Sequence, residues 1–295
     1  MTSTLAVAPW RTFATEVRAV RRLSPSFLRV TLTGPDLDRF ADNGWDQRIK
    51  VAVPVPGTRF PHGTAWYEGW RALPDAERPP LRTYTARHVR ADRREIDVDF
   101  VLHGDTGPAG RWALRAAPGA ELAVVGPDAG YPGTHGGIEF RPPAGSALLL
   151  AGDETAAPAI CAILERLPAD ATGHALLEVP GEADALPVAA PAGVSVTWLP
   201  RGTAAHGSRL TAAVTADSLL PALRASAAAG RDDTAADTGI LWDVPDAPAE
   251  TPVYAWLAGE ASTIRGLRRH LVSERGLDRR AIAFMGYWRR GHAEN

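Results

Sequence analysis

The stretch Ser146-Ala147-Leu148-Leu149-Leu150-Ala151-Gly152-Asp153-Glu154-Thr155-Ala156 separates two kinds of sequence within the chain. Its apolar run is uninterrupted from Ala147 to Ala151, which is typical of a strand buried on both faces. A turn follows at Gly152, and a helical pattern is predicted to open at Asp153. A buried strand, a turn and a helix form the repeating unit of a parallel α/β sheet. This stretch therefore assigns the second half of the chain to the α/β class.

The same alternation continues towards the C-terminus. Further strands are predicted at 174–179, 194–199, 253–258 and 281–287, and helices at 208–216, 218–229 and 260–275. This order predicts a doubly wound parallel sheet. The stretch 231–252 is rich in Asp, Ala and Pro and is interpreted as a surface insertion.

The first half shows the two-residue period of β-strands instead. Alternating segments bounded by Gly, Pro and Asp occur at 12–22, 27–33, 49–54, 81–87, 95–102 and 121–126. Short strands of this kind predict a small antiparallel β-barrel. The irregular stretch 56–80 contains Trp66, Tyr67 and Trp70, so a packed loop is expected there. A Gly- and Pro-rich linker at 131–145 leads to predicted domains of residues 1–142 and 143–295.

Composition excludes several classes of function. A formal charge of -2 gives no overall basic field for nucleic acid. The only cysteine, Cys161, cannot form an internal disulfide or hold an iron–sulfur cluster, and its apolar surroundings predict a core position. The histidines show no metal-ligand spacing, so no metal site is expected. No apolar run approaches the roughly 18 residues that span a membrane, and no signal segment is evident, so a cytoplasmic protein without membrane insertion is expected.

The sharpest local motif is Leu81-Arg82-Thr83-Tyr84-Thr85. On a strand, Arg82 and Tyr84 share one face, and the two threonines share the other. Arginine can bind a phosphate through two hydrogen bonds, and tyrosine can lie against an aromatic ring system. Without further support, an ordinary surface strand is the alternative interpretation.

A second motif follows the next predicted strand. Val101-Leu102-His103-Gly104 ends that strand and leads into Gly107-Pro108-Ala109-Gly110-Arg111-Trp112. A Gly-rich turn that opens a short helix presents backbone amides to an anion. A plain turn is the alternative.

These motifs, in this order, resemble the flavin-binding half of the siderophore-interacting proteins, a family of the ferredoxin–NADP reductase-like superfamily. The resemblance extends to the turn Gly152-Asp153-Glu154-Thr155-Ala156, to Gly259-Glu260 before a late helix, and to the tail Tyr287-Trp288-Arg289-Arg290-Gly291. It implies an N-terminal β-barrel that binds FAD and a C-terminal α/β domain that meets a nicotinamide.

The resemblance also implies roles for individual residues. Arg82 is expected to hold the FAD diphosphate, while Tyr84 stacks on the isoalloxazine and Thr85 hydrogen-bonds near its N5, which makes Tyr84 and Thr85 the expected catalytic residues. The other expected cofactor-binding residues are Thr83, His103, Gly104, Gly107, Pro108, Ala109, Gly110, Trp112, Gly152, Asp153, Glu154, Thr155 and Trp288. The family's phosphate turn usually ends in Ser or Thr where this chain has Gly110. We therefore expect weaker retention of FAD.

The turn of the second half leaves alternatives open. A turn between a buried strand and a helix accepts a diphosphate in this fold class. Asp153 and Glu154, however, are expected to cap the helix and to repel a phosphate. Beyond the next strands, Glu178 could accept a hydrogen bond from a ribose and Arg201 could meet a 2′-phosphate, or both could be solvated loop residues. Trp288 either covers the flavin or packs between the domains.

The family likeness implies an FAD-dependent ferric-siderophore reductase that releases iron as Fe(II). Arg48 and Lys50, the only lysine, share one strand face and are expected to attract the anionic substrate together with Arg289 and Arg290. A solvated edge strand and a basic tail are the alternative. NADH, NADPH or a ferredoxin would supply electrons. The other functions considered are a flavin-linked reductase for another acceptor and a siderophore-binding protein that has lost its flavin.

Overall fold

The polypeptide divides inside the predicted linker, into one unit that ends at Ile138 and another that begins at Glu139. The structure, a computed structural model, describes residues 7–63, 65–103, 107–216, 241–246 and 251–291. The predicted helix 218–229 and most of the predicted insertion lie outside these residues, as does Gly104.

A seven-stranded antiparallel sheet forms the first unit, with strands in the order β4-β3-β7-β1-β2-β6-β5. The strands are β1 (Trp10–Arg22), β2 (Phe27–Thr33), β3 (Arg48–Ala52), β4 (Leu81–Thr85), β5 (His88–Arg90), β6 (Glu95–Val101) and β7 (Glu121–Pro127). Alternate side chains of these strands enter one core, among them Phe13, Val30, Val51, Val98 and Val124. The predicted antiparallel class is confirmed, and the predicted strand 81–87 proves to end at Thr85.

The stretch 56–80 packs against the sheet, as expected, and includes a helix that was not predicted, α1 (Trp66–Ala72). Phe60, Trp66 and Trp70 cover Ala52 and Val125 on the face opposite the main core. The predicted short helix after β6 is α2 (Pro108–Arg115).

The second unit contains a six-stranded sheet in the order β10-β9-β8-β12-β13-β11. Its strands are β8 (Ala147–Gly152), β9 (Thr172–Val179), β10 (Gly193–Pro200), β11 (Trp242–Asp243), β12 (Val253–Glu260) and β13 (Ile282–Trp288). Neighbouring strands among β8, β9, β10, β12 and β13 run parallel, which confirms the predicted fold class. The short β11, inside the predicted insertion, pairs antiparallel with β13.

Three α-helices of this unit lie within the described residues: α3 (Ala157–Leu164), α4 (Ser208–Thr215) and α5 (Ala261–Arg268). The predicted helix 260–275 is shorter, because the chain widens into a π-helical turn over Arg269–Glu274. Cys161 is buried in α3, as predicted. Among the described residues, no helix is long and apolar enough to cross a membrane.

The carboxyl ends of β8, β9, β10, β12 and β13 meet at one edge of the parallel sheet, where ligands of this fold class bind. Gly152 ends β8 at this edge, beside Ala258 of β12. A Cβ at Gly152 would lie 2.8 Å from the Ala258 carbonyl oxygen. Glycine therefore lets the two strands approach closely before the chain turns into Asp153.

Candidate functional site

The register of β3 against β4 assigns the Arg82-Thr83-Tyr84-Thr85 side chains to two faces. Lys50 lies opposite Thr83 and Arg48 opposite Thr85, whereas Ile49 lies opposite Tyr84. Because paired residues share a face, Arg82 and Tyr84 belong to the face of the buried core residue Ile49. The predicted alternation along this strand is therefore confirmed.

Aromatic contacts join β4 to α2. The Tyr84 ring centroid lies 4.5 Å from that of Phe100, and the Phe100 centroid lies 5.6 Å from that of Trp112. Phe100 of β6 is fully buried, whereas Tyr84 and Trp112 are half-buried. The core thus fixes one side of Tyr84 and leaves part of its surface accessible, as stacking on a flat ring system requires.

No acidic side chain in the described part of the chain neutralises the charge of Arg82. Its Nη1 donates a 2.8 Å hydrogen bond to the carbonyl oxygen of Leu81. No carboxylate among the residues with assigned positions comes within ion-pair distance of its guanidinium. A half-buried guanidinium of this kind is suited to a phosphate.

The first turn of α2 is also open to an anion. Gly107, its N-cap residue, has φ of 79°, a conformation that favours glycine. The turn contains no acidic residue and no capping side chain, so the helix dipole is not neutralised there. Pro108 suits the first helical position because its missing N–H would lack a helical partner anyway. Together with Arg82 and Tyr84, this turn fits a flavin that carries a diphosphate.

Lys50 is already hydrogen-bonded to the motif strand. Its Nζ donates to the Thr83 hydroxyl oxygen over 2.6 Å, although the side chain stays exposed. Thr85 is buried on the same strand face, and His103 is exposed after β6. Lys50, a predicted substrate contact, and Arg82, a predicted FAD contact, thus lie on opposite faces of neighbouring strands.

Asp153 lies buried at the sheet edge of the second unit, where it accepts hydrogen bonds from three chain segments. Its Oδ1 accepts from the Thr155 amide and hydroxyl over 2.9 and 2.5 Å. Its Oδ2 accepts from the Glu260 amide over 2.8 Å and from the Trp288 indole over 3.0 Å. Burial and the charge of Glu154 raise the pKa of Asp153, against these hydrogen bonds.

Glu154 forms a buried ion pair. Arg201 donates to its two oxygens over 2.7 and 2.6 Å, and the Glu154 side chain is fully buried. Burial opposes ionisation of Glu154, but the nearby His206 ring and the hydrogen bonds from Arg201 outweigh it and lower its pKa to about 2. The expected capping is confirmed for Asp153, whose Oδ1 accepts from the Thr155 amide and whose carbonyl oxygen accepts from the Ala157 amide at the start of α3. It is wrong for Glu154, which pairs with Arg201 instead.

The alternatives considered for Glu178 and Arg201 need correction too. Glu178 is fully buried, and its oxygens accept from the amides of Gly207 and Leu210 over 2.6 and 2.9 Å, which caps α4. Arg201 is bound to Glu154 and lies 3.6 Å from Glu178. Neither residue is a solvated loop residue, and neither is available to a ribose or a phosphate without breaking these bonds.

Sequence reasoning missed His206. Its side chain is 5% exposed, and its Nε2 lies 3.4 Å from Glu154 Oε2 and 3.6 Å from Asp153 Oδ2. The ring also meets Trp288 edge-on, with centroids 5.1 Å apart. Burial opposes protonation of His206, but the carboxylates of Glu154 and Asp153 prevail and raise its pKa. The one available signal was its place between a parallel strand and the next helix.

The exposed tail after β13 is also tied to the sheet edge. Arg289 and Arg290 are exposed, and the Arg290 amide donates to Glu260 Oε1 over 3.3 Å. Glu260 Oε2 at the same time accepts from the Ser262 and Thr263 amides and caps α5. Among the described residues, no group of His, Cys, Asp and Glu is arranged to hold a metal ion.

Comparison with known proteins agrees with this arrangement. Residues 16–131 match the siderophore-interacting FAD-binding domain, and residues 145–291 match the siderophore-interacting protein family. Ferric vibriobactin reductase of Vibrio cholerae is 30% identical over 92% of this chain and 87% of its own length. An NADPH-dependent ferric-chelate reductase of Escherichia coli is 29% identical over 92% of this chain and 91% of its own length.

A solved structure shows the same fold. The siderophore utilization protein of T. fusca superposes with a TM-score of 0.69 at 33% identity, covering 98% of this chain and 97% of that one. The chain belongs to the siderophore-interacting protein family, as a flavin-dependent oxidoreductase whose first unit binds FAD.

Proposed function

We propose that this protein is a cytoplasmic reductase of ferric siderophores that takes electrons from NADPH and releases iron as Fe(II). The observation that carries the proposal is the pairing, on one strand, of the half-exposed Tyr84 with Arg82, which no carboxylate neutralises in the described part of the chain. Bound FAD supplies the conversion from a two-electron donor to one-electron reduction of iron. Fe(II) binds oxygen ligands more weakly than Fe(III), so reduction releases the metal.

Different residues of the first unit bind different parts of the flavin. Arg82 compensates the diphosphate charge together with the open first turn of α2. Tyr84 orients the ring system by stacking, and its packing on Phe100 limits its rotation. The Thr85 side chain is buried on the strand face opposite to Tyr84, so the backbone amide of Thr85, and not its hydroxyl, stays the proposed hydrogen-bonding partner near the flavin N5. No acid, base or nucleophile of the protein is needed for electron transfer.

The substrate proposal rests on local charge. The formal charge of -2 gives no general attraction for an anion, so attraction has to come from a local group. Lys50 is exposed and anchored to Thr83, which holds its ammonium beside the motif strand. Arg48 in the first unit, and Arg289 and Arg290 in the second, are the other proposed contacts. The related proteins from V. cholerae and E. coli are named for ferric vibriobactin and ferric chelates.

NADPH is proposed as donor because the E. coli relative is named for it. The turn Gly152–Thr155 stays the predicted dinucleotide contact. Glu154 is paired with Arg201, so its charge repels a phosphate less than that of an unpaired carboxylate would. A dinucleotide would therefore meet the backbone of this turn and not its carboxylates.

One kinetic experiment tests donor and acceptor together. FAD-loaded protein is mixed anaerobically with NADPH, NADH or a reduced ferredoxin, and bleaching of the flavin absorbance is followed by stopped flow. Faster bleaching with NADPH supports the proposed donor. Purified protein that stays colourless after addition of FAD would contradict both enzymatic functions and favour a binding protein.

Lys50→Ala tests the acceptor. We expect a several-fold higher KM for an anionic ferric siderophore at low salt, and a smaller difference at high salt, where charge attraction is screened. Thr83→Val is the matched control, because it removes the Lys50 hydrogen bond and keeps the charge. Equal KM values for Lys50→Ala and wild type at both ionic strengths would point to a reductase for another acceptor.

A further inference from the structure

The last residue of β13 and the tail that follows it are each held by a buried carboxylate. The Trp288 indole donates to Asp153 Oδ2, and the Arg290 amide donates to Glu260 Oε1. The Glu260 amide donates to Asp153 Oδ2 as well, so the two acidic residues are themselves linked. The position of the tail therefore depends on the Asp153 carboxylate, which is 1% exposed.

The backbone around Asp153 leaves this carboxylate little freedom. Gly259 has φ of 151°, and a Cβ there would lie 2.7 Å from Asp153 Oδ2. Asp153 Oδ1 is fully used by Thr155. A shift of Asp153 would break several hydrogen bonds at once, so the carboxylate acts as a rigid acceptor for Trp288.

The charges around His206 show what compensates this carboxylate. Asp153 and Glu154 face its Nε2 from the turn after β8, and Arg201 approaches from the end of β10. Glu178 of β9 lies against Arg201, and Glu260 of β12 lies against Asp153. Arg201 is hydrogen-bonded to Glu154 and not to Asp153. A proton on His206 Nε2, 3.6 Å from Asp153 Oδ2, therefore places a positive charge directly beside this carboxylate.

We propose that Asp153 is a positioning residue that sets Trp288 and the Arg289–Arg290 tail in place, and that protonated His206 locks this arrangement. His206 also touches the Trp288 ring edge-on, so loss of its charge and movement of the indole are directly coupled. Any effect of the lock on the KM for substrate rests on the role of the tail in substrate attraction, which is part of the proposed function. The lock itself does not depend on it.

The direction of the pH effect follows from the neighbouring carboxylates. Because they raise the pKa of His206 above its ordinary value, the locked state binds this proton more tightly than an unlocked state does. The lock is therefore formed below the pKa of folded His206, where Asp153 is still ionised, and weakens as the pH rises through the pKa of folded His206. Each unit by which the pKa of His206 is higher in the locked state than in the unlocked state corresponds to a tenfold change in the ratio of locked to unlocked protein.

The test is an NMR titration of the FAD-loaded protein. Trp288→Phe assigns the Trp288 indole resonance, and His206→Gln assigns the His206 ring. We expect the Trp288 indole resonance of the wild type to shift with the same midpoint as His206, and its solvent exchange to quicken above that midpoint. In His206→Gln the Trp288 shift should lose this titration, and exchange should be fast at every pH.

His174→Gln is the matched control, since His174 is exposed on β9 and bonded to Ser195. It should leave the Trp288 titration unchanged. Different midpoints for Trp288 and His206, or a wild-type titration of Trp288 in His206→Gln, would overturn the proposal. Coinciding midpoints with a pH-independent KM would support the lock and would remove the tail from the proposed substrate contacts.

Discussion

Two groups of charged and aromatic side chains differ in how completely the protein itself satisfies them. On β4, Arg82 is hydrogen-bonded only to a backbone carbonyl within the described part of the chain, and Tyr84 is half-exposed. At the edge of the parallel sheet, Glu154 is bound at both oxygens by Arg201, and Glu178 caps a helix. Both groups contain residue types that bind nucleotide cofactors, yet among the described residues Arg82 lacks an acidic partner whereas Glu154 has a basic one.

This difference in pairing indicates which side chains can bind a ligand without first losing a partner within the protein. A buried ion pair that is already formed must be broken and rehydrated before either partner can bind something else. An arginine without an acidic partner needs no such rearrangement, and a phosphate supplies the charge that it lacks. The first unit is therefore preorganised for its cofactor, whereas the buried side chains of the second unit hold the structure.

The largest effect is expected on the free energy of unfolding, when the buried Glu154–Arg201 ion pair is broken. Arg201→Ala leaves Glu154 buried without its strongest partner, and we expect the free energy of unfolding to fall by about 3 kcal/mol. Urea unfolding followed by circular dichroism measures this. Arg280→Ala removes the exposed partner of Asp278 and serves as control, with no measurable change expected. An equally small effect of Arg201→Ala would mean that the edge is not held by this pair.

The same group predicts a dependence on acid. The folded-state pKa of Glu154, about 2, lies below its ordinary value of 4.5, so its stabilising contribution is complete above 4.5. That contribution is lost as the pH falls from 4.5 towards 2. In Glu154→Gln, stability measured across this range should fall less steeply than in the wild type. Parallel curves for the two proteins would contradict this assignment.

A smaller effect, on the affinity for FAD, is expected when Arg82 is replaced. Arg82→Ala removes the cation that faces the diphosphate, and we expect the Kd for FAD to rise about tenfold to a hundredfold, as for loss of hydrogen bonds to a charged group. Flavin absorbance after desalting and a fluorescence titration measure it. Arg71→Ala, which removes an exposed arginine stacked on Tyr67, should keep the flavin. Retention of FAD by Arg82→Ala would show that an arginine without an acidic partner is not needed to bind the cofactor.

The smallest effect concerns Gly110 in the first turn of α2. Gly110→Ser restores a hydroxyl donor, and we expect FAD to bind several-fold more tightly, in line with about 1 kcal/mol for one hydrogen bond. Gly110→Ala is the matched control, because it improves helix propensity without a hydroxyl. Equal dissociation constants for the Ser and Ala variants would show that the missing hydroxyl does not limit retention.

Much of the first unit could be predicted because its signals are local. Alternation along 81–85 is a property of any strand, so the faces of Arg82 and Tyr84 followed from their spacing. The helix of the stretch 56–80 was missed, although Trp66 and Trp70, four residues apart, both pack on the sheet. A helix of seven residues gives only one such repeat, which is too short for the periodicity to stand out from an irregular segment.

The turn after β8 shows where local reasoning fails. Asp153 accepts from the Thr155 amide as a capping residue would, but Asp153 and Glu154 also have the partners Trp288 and Arg201. These partners are distant in sequence, and a hydrogen bond to a buried charged group outweighs a cap exposed to water. His206 was missed for the same reason, since nothing near it in the sequence is acidic.

The amino-acid sequence by itself determined the two sheet classes, the order of their strands along the chain and the flavin motif of β4, because strand period, apolar runs and turn residues act between near neighbours. Only the tertiary structure decided which charged side chains remain unneutralised. That property depends on which strands lie side by side in the sheets, and on burial, which makes an ion pair such as Glu154–Arg201 costly to break and an arginine such as Arg82 ready for a phosphate.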